Sequence, residues 1–262
     1  MVELLGKRSS SFAAVTLFCM VFAVSLGHGA DKAPVKIRDA NAAVAEHEPH
    51  DLVRQGKRIF DNTPKYARQY VGNKLSCNDC HIGSGTTAYA APLIDLAGLF
   101  PMYNKRAGHV ISLATRVQEC FTRSEAGQPP PVDSVPIRAL VAYINSLSRN
   151  GVKGQPYKSR GLVNLPALKG DPENGKVIYA VLCSACHGFN GEGAPPALPA
   201  VWGSRSFNDG AGMNDPTKMA KFIIHNMPQS SPGTLTPQEA FDVAAYIHSQ
   251  PRPKFNPAYK SY

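Results

Sequence analysis

Two pentapeptides, CNDCH at 77–81 and CSACH at 183–187, limit what this chain can fold into more than any other feature of it. C-x-x-C-H is the attachment signal for a c-type haem, in which two thiols become thioethers and the histidine ligates iron. A dithiol redox motif has no need of the histidine, and a zinc site needs four ligands grouped together. Cys77, Cys80 and His81 are therefore read as the attachment residues of one haem, and Cys183, Cys186 and His187 as those of a second.

The repeat extends beyond the motifs. GKRIF at 56–60 and GKVIY at 175–179 precede the two copies and read as short helix starts, while LVAYINS at 140–146 and DVAAYIHS at 242–249 follow them. Ile137, Leu140, Val141, Ile144 and Leu147 recur at helical spacing and give one apolar face. In the second copy Thr236 caps, Pro237 takes the first helical position and Glu239 completes a capping box. Each half reads as helix, haem motif, loop, helix, which is the pattern of class I cytochrome c. The expected fold is all-α, with two such domains in tandem at 31–150 and 171–262. A Gly-, Pro- and Lys-rich linker, 151–170, lies between them, and Gly151 is expected to end the first domain's last helix. Each half holds roughly 100 residues, much of it loop, so haem must supply a good part of each core.

A low-spin haem needs a second axial ligand, usually Met or His. Met227, in HNMPQ, stands 40 positions after His187 and just before the last helix. It is preferred over Met213 and over Met219, which is expected to pack on a short helix; His225 and His248 are expected at the surface. Cys120, in RVQECFTRSEAG, stands 39 positions after His81, so the first half places a thiol where the second places a thioether. Met102 and His109 remain alternatives, as does a plain buried cysteine. Arg116 and Arg123 flank Cys120, with Lys105 and Arg106 close by in sequence. Such cations favour the thiolate and would also bind a small anion; a solvated face, or pairing with haem propionates, is the bland alternative.

Of six cysteines, only Cys19 and Cys120 lie outside the motifs. Residues 1–30 read as a signal peptide: Lys7 and Arg8 precede an apolar stretch from Ser11 to Leu26, GHGA follows, and cleavage is expected after Ala30. Cys19 leaves with that leader. No later segment reaches 18 apolar residues, so the mature chain is expected not to span a membrane and to work in the periplasm. The net charge of +9 includes no long basic run, which argues against a nucleic-acid arm.

The segments LSCNDCHIGSGTTAYAAPL, MYNKRAGHVISLATRVQECFTRSEAG and NMPQ…LTPQEAFDVAAYIHSQPRP together resemble the dihaem thiosulfate dehydrogenases, over about residues 50–254. The cysteine segment is the most specific part. The resemblance implies that two thiosulfate ions are joined into tetrathionate, reversibly, and that electrons pass to a cytochrome c or similar carrier. It implies two covalent haem c groups, the first with His81/Cys120 ligation and the second with His187/Met227. It also implies substrate roles for Arg106, Arg116 and Ser124 beside a catalytic Cys120. In some relatives a lysine immediately before the methionine can replace it on iron; this chain has Asn226 there, and no such exchange is expected. Two other functions fit the same motifs: a non-catalytic dihaem electron carrier, and a haem subunit of a sulfur-oxidising complex that conjugates thiosulfate to a carrier protein.

Overall fold

The computed structural model describes residues 49–148, 157, 159–195 and 198–260. The expected leader, and Gly151 in the linker, lie outside them. Among the described residues six helices longer than one turn carry the fold: α1 (Pro49–Asp61), α2 (Leu113–Arg123), α3 (Val135–Ser146), α4 (Pro172–Leu182), α5 (Pro216–Asn226) and α6 (Pro237–Ser249). Each haem motif forms a single turn, Cys77–Cys80 in the first half and Ser184–His187 in the second.

Local chemistry starts the helices of the second half in one way. Asp171, Asp215 and Thr236 each cap with a side-chain oxygen that accepts backbone N–H groups, and a proline follows in the first turn. Proline costs nothing there, because that N–H has no helical partner. Thr236 and Glu239 form the expected capping box. α3 ends at Ser146, with Leu147 as its cap, so it stops before Gly151 and takes no glycine terminator.

In each half the first helix crosses the last. GKRIF and GKVIY are not helix starts: Gly56 lies in the middle of α1 and Gly175 within α4. These glycines mark the crossings. A Cβ on Gly56 would stand 2.0 Å from the Ala139 carbonyl oxygen, and one on Gly175 would stand 1.9 Å from that of Asp242. Only a residue without a side chain lets the backbones approach so closely.

Two separate cores result. Ile59, Phe60, Phe121, Ile137, Leu140 and Ile144 anchor the first, with α3 turning its expected apolar face inward and Val141 half-buried. Tyr179, Trp202, Ile223, Phe241, Val243 and Ile247 anchor the second. Met219 is buried there, as expected for a packing residue. Among the described residues the departure from an all-helical chain is a two-stranded antiparallel ribbon, β1 (Met102–Asn104) and β2 (His109–Ile111). Its turn is tied by Asn104, whose Oδ1 accepts from the N–H groups of Arg106 and Ala107. That is the local turn chemistry asparagine favours.

The described residues fall within one unit, 43–262, in which the halves are hydrogen-bonded together. Asn73 Nδ2 donates to Ser124 O and Ser206 O, and Asn208 Nδ2 donates to Thr122 O at 2.8 Å. The loop around 206–211 of the second half is thereby docked on the C-terminal end of α2. Among the described residues no helix is long and apolar enough to cross a membrane.

Candidate active site

α2 presents the site. Arg116, Cys120 and Ser124 are spaced four apart, which stacks them on one face of the helix and its C-cap. Leu113, Val117 and Phe121 are buried beside them. All six line a cavity of about 420 Å³, whose walls also hold Cys77, Cys80 and His81 from the first haem motif. The ribbon turn brings Lys105 and Arg106 to the same cavity, and the linker contributes Arg160. Arg116 Nη1 donates to Cys120 Sγ at 3.2 Å.

The structure sorts the alternatives to Cys120 by position. Met102 lines the cavity from β1 but is 37% exposed. His109 is exposed on β2, its Nδ1 turned to the Ala107 carbonyl, and it is not among the lining residues.

Both motif histidines are oriented alike. His81 Nδ1 donates to Ala91 O at 2.6 Å, and His187 Nδ1 donates to Pro199 O at 2.8 Å. A carbonyl on Nδ1 fixes the tautomer and leaves Nε2 with its lone pair for a metal. Burial pushes the pKa of His81 down, which favours the neutral ring that a metal requires. The loop carrying Ala91 is itself held: the N–H groups of Tyr89 and Ala91 donate to Ser159 O and Gly161 O. Tyr89 and Ala91 adopt left-handed φ values of 57° and 48°, conformations that persist only where the surroundings enforce them. These features fit a haem in the first half, with two thiols, an oriented imidazole and a sulfur in one largely apolar cavity. In the second half Cys183 and Met227 both pack against the core, and Met227 caps α5. Asn226, beside it, is buried and donates to Phe222 O and to Tyr89 O of the first half. His225 and His248 are half-buried rather than at the surface; His225 meets the Tyr89 ring edge-on at 4.8 Å, and His248 Nδ1 donates to Ala244 O.

One expected cation is elsewhere. Arg123 points away from the cavity, is buried, and stacks on the Phe255 ring at 4.1 Å while donating to Gly210 O. Lys105, Arg106 and Arg116 remain as the basic residues near Cys120 that line the cavity. Two buried acids were not anticipated. Glu119 is surrounded by arginines, and Glu125 lines the cavity next to Cys77. Burial, reinforced by Asp79, pushes the Glu125 carboxyl well above the usual carboxylate range. The signal for Glu119 was available in its spacing from Arg116 and Arg123, three and four positions away on one helix.

Comparison with known proteins agrees with this geometry. A family model described as SoxA/TsdA, cytochrome c domain, matches residues 63–152, and one described as cytochrome c matches 172–251. The chain is 42% identical to a thiosulfate dehydrogenase of Stutzerimonas stutzeri, over 78% of this chain and 68% of that one. It is 37% identical to that of Thiomonas intermedia, over 92% and 83%. The chain belongs to the thiosulfate dehydrogenase family. As a member it is an oxidoreductase with two cytochrome c domains in tandem and two covalently bound haem c groups. A solved structure of the same family, thiosulfate dehydrogenase (TsdBA) from Marichromatium purpuratum, superposes with a TM-score of 0.73 at 36% identity. The likeness covers 78% of this chain and 46% of that longer one.

Proposed function

We propose that this chain oxidises thiosulfate, joining two ions into tetrathionate at Cys120, and passes the electrons to a c-type cytochrome or similar carrier in the periplasm. The observation that carries the reading is Arg116 donating to Cys120 Sγ in the wall of a cavity that also holds a complete haem motif and Arg106. His81 and Cys120 would hold the first haem iron and His187 and Met227 the second, with thioethers at Cys77, Cys80, Cys183 and Cys186. When bound, the haems supply one-electron acceptors that together take two electrons from sulfur, the thiolate-ligated one at the lower potential.

The protein's own residues do the rest. Thiosulfate is a dianion, and two of them repel unless fixed cations offset the charge. Arg106 and Arg116 suit that task because a guanidinium can grip two oxyanion oxygens at once. Ser124, four positions beyond Cys120, offers a hydroxyl to the same anion. Cys120 Sγ, as thiolate, forms a disulfide-like bond with the outer sulfur of one thiosulfate as two electrons leave the pair. A second thiosulfate attacks that same outer sulfur, the bond to Sγ breaks, and tetrathionate departs with the thiolate restored. Every sulfur is accounted for, and the two electrons are the only other product. The same steps in reverse reduce tetrathionate. The leader read over residues 1–30 and the haem motifs support the periplasmic location.

Holoprotein given thiosulfate and ferricyanide tests this. One tetrathionate should appear for each two thiosulfates consumed and two ferricyanides reduced. No tetrathionate between acidic and neutral pH sinks the reading, and leaves a dihaem carrier in its place. Cys120→Ala should abolish turnover and remove a thiolate-type low-spin ferric signal from the paramagnetic resonance spectrum; full turnover in that variant would overturn the covalent route.

A further inference from the structure

Glu119 takes no part in the chemistry above and is not among the residues that line the cavity, yet three arginines stand within 4 Å of its carboxylate. Its side chain is fully buried. Oε2 accepts from Asn104 Nδ2 at 2.9 Å and stands 3.4 Å from Arg106 Nη2 and 3.6 Å from Arg116 Nη1; Oε1 stands 3.8 Å from Arg123 Nε. A buried carboxylate costs several kcal/mol unless cations face it, and here three do. The second half adds one more contact. Gly210 O accepts from Arg106 Nη1 and from Arg123 Nη1, each at 3.3 Å.

We propose that Glu119 is a positioning residue: its carboxylate holds Arg106 and Arg116 side by side as one clamp for an oxyanion, and the Gly210 carbonyl fixes the far side of Arg106. Arg106 comes from the ribbon turn and Arg116 from α2, and their like charges would push them apart without an anion between them. Glu119 supplies that anion from behind. Arg116 reaches both Cys120 and Glu119 through Nη1, so its Nε and Nη2 donors remain for an incoming ion. The thiosulfate identity of that ion rests on the function proposed above; the clamp itself concerns any small oxyanion.

The sign of one substitution separates positioning from simple charge. Glu119→Gln keeps the volume and removes the negative charge. If Glu119 acted only through its charge, the variant would bind anions more tightly, because the site would become more positive. A positioning role requires the opposite. The full-length oxidised holoprotein is titrated with sulfate, an inert oxyanion, by calorimetry, and KM and kcat for thiosulfate are measured on the same preparation. Sulfate affinity should fall and KM should rise by about tenfold, with kcat changed less than about threefold and the low-spin haem spectrum unaltered. Glu119→Asp, which keeps the charge but withdraws it by one methylene, should move both in the same direction. That variant carries the test if the Gln protein fails to load haem, because a pure charge effect predicts no change in it. Tighter or unchanged sulfate binding in a haem-loaded variant would overturn the proposal, as would absence of sulfate binding by the wild type. Failure of the wild type to form tetrathionate would instead remove the thiosulfate reading, and the sulfate titration would still decide the clamp.

Discussion

Cys120 and Met227 stand 39 and 40 positions after their motif histidines, and under the proposed function the difference between a thiol and a thioether there would divide the labour of the halves. Cys120→Met makes the first half like its sister. The variant should keep a sulfur ligand and a low-spin haem, shift that haem to higher potential in a spectroelectrochemical titration, and lose tetrathionate formation, because a thioether cannot form the S–S bond. At this scale the sequence was informative where spacing repeats. Counting from each motif histidine pointed to Cys120, which lines the first cavity, and to Met227, which packs against the second core. The spacing of Glu119 from Arg116 and Arg123 hinted at an ion pair, but its burial and its partners Asn104 and Arg106 from another element were not legible. Arg123 misled because, although it is three positions from Cys120 on the same helix, its long side chain is drawn to Gly210 O and the Phe255 ring of the second half.

At the scale of elements, the helix crossings carry the stability of each half. In the second, Asp242 on α6 accepts from the backbone N–H of Asp171, from Asn174 Nδ2 and from Gln238 Nε2, tying α6 to the start of α4. Burial pushes its pKa up, but these three hydrogen bonds outweigh it and hold the carboxyl below its ordinary value of 3.8. A depressed folded pKa stabilises above the unfolded pKa, and that contribution is lost as pH falls through the folded value. Asp242→Asn should therefore lower unfolding free energy by about 1–3 kcal/mol at pH 7 and by clearly less near pH 3, read from denaturant melts at both. The crossings were half legible. GKRIF and GKVIY stood out as a repeat, but their glycines mark close backbone approach, which only the packed helices reveal. The ribbon escaped notice because strands of three residues are too short to show an alternating pattern.

For the whole molecule, a net charge of +9 and four cations on the cavity wall, Lys105, Arg106, Arg116 and Arg160, imply long-range attraction of a dianion. Raising ionic strength from about 0.01 M to 0.15 M shortens the screening length from roughly 30 Å to 8 Å, so kcat/KM for thiosulfate should fall over that range, more than for an uncharged site. Steady-state rates at fixed pH check this. The tandem plan was visible from the repeated motifs, whereas the docking of loop 206–211 on α2 was not, since it depends on asparagines that carry no periodic signal.

Ser159 and Gly161 support the loop at Tyr89 and Ala91, and Ala91 supports His81. The connector is thus part of the scaffold behind the first haem. A chimera joining residues 49–148 to an unrelated cytochrome through a generic glycine–serine tether would inherit the haem motif without the brace behind its histidine. The halves share a plan, but they are not interchangeable cassettes.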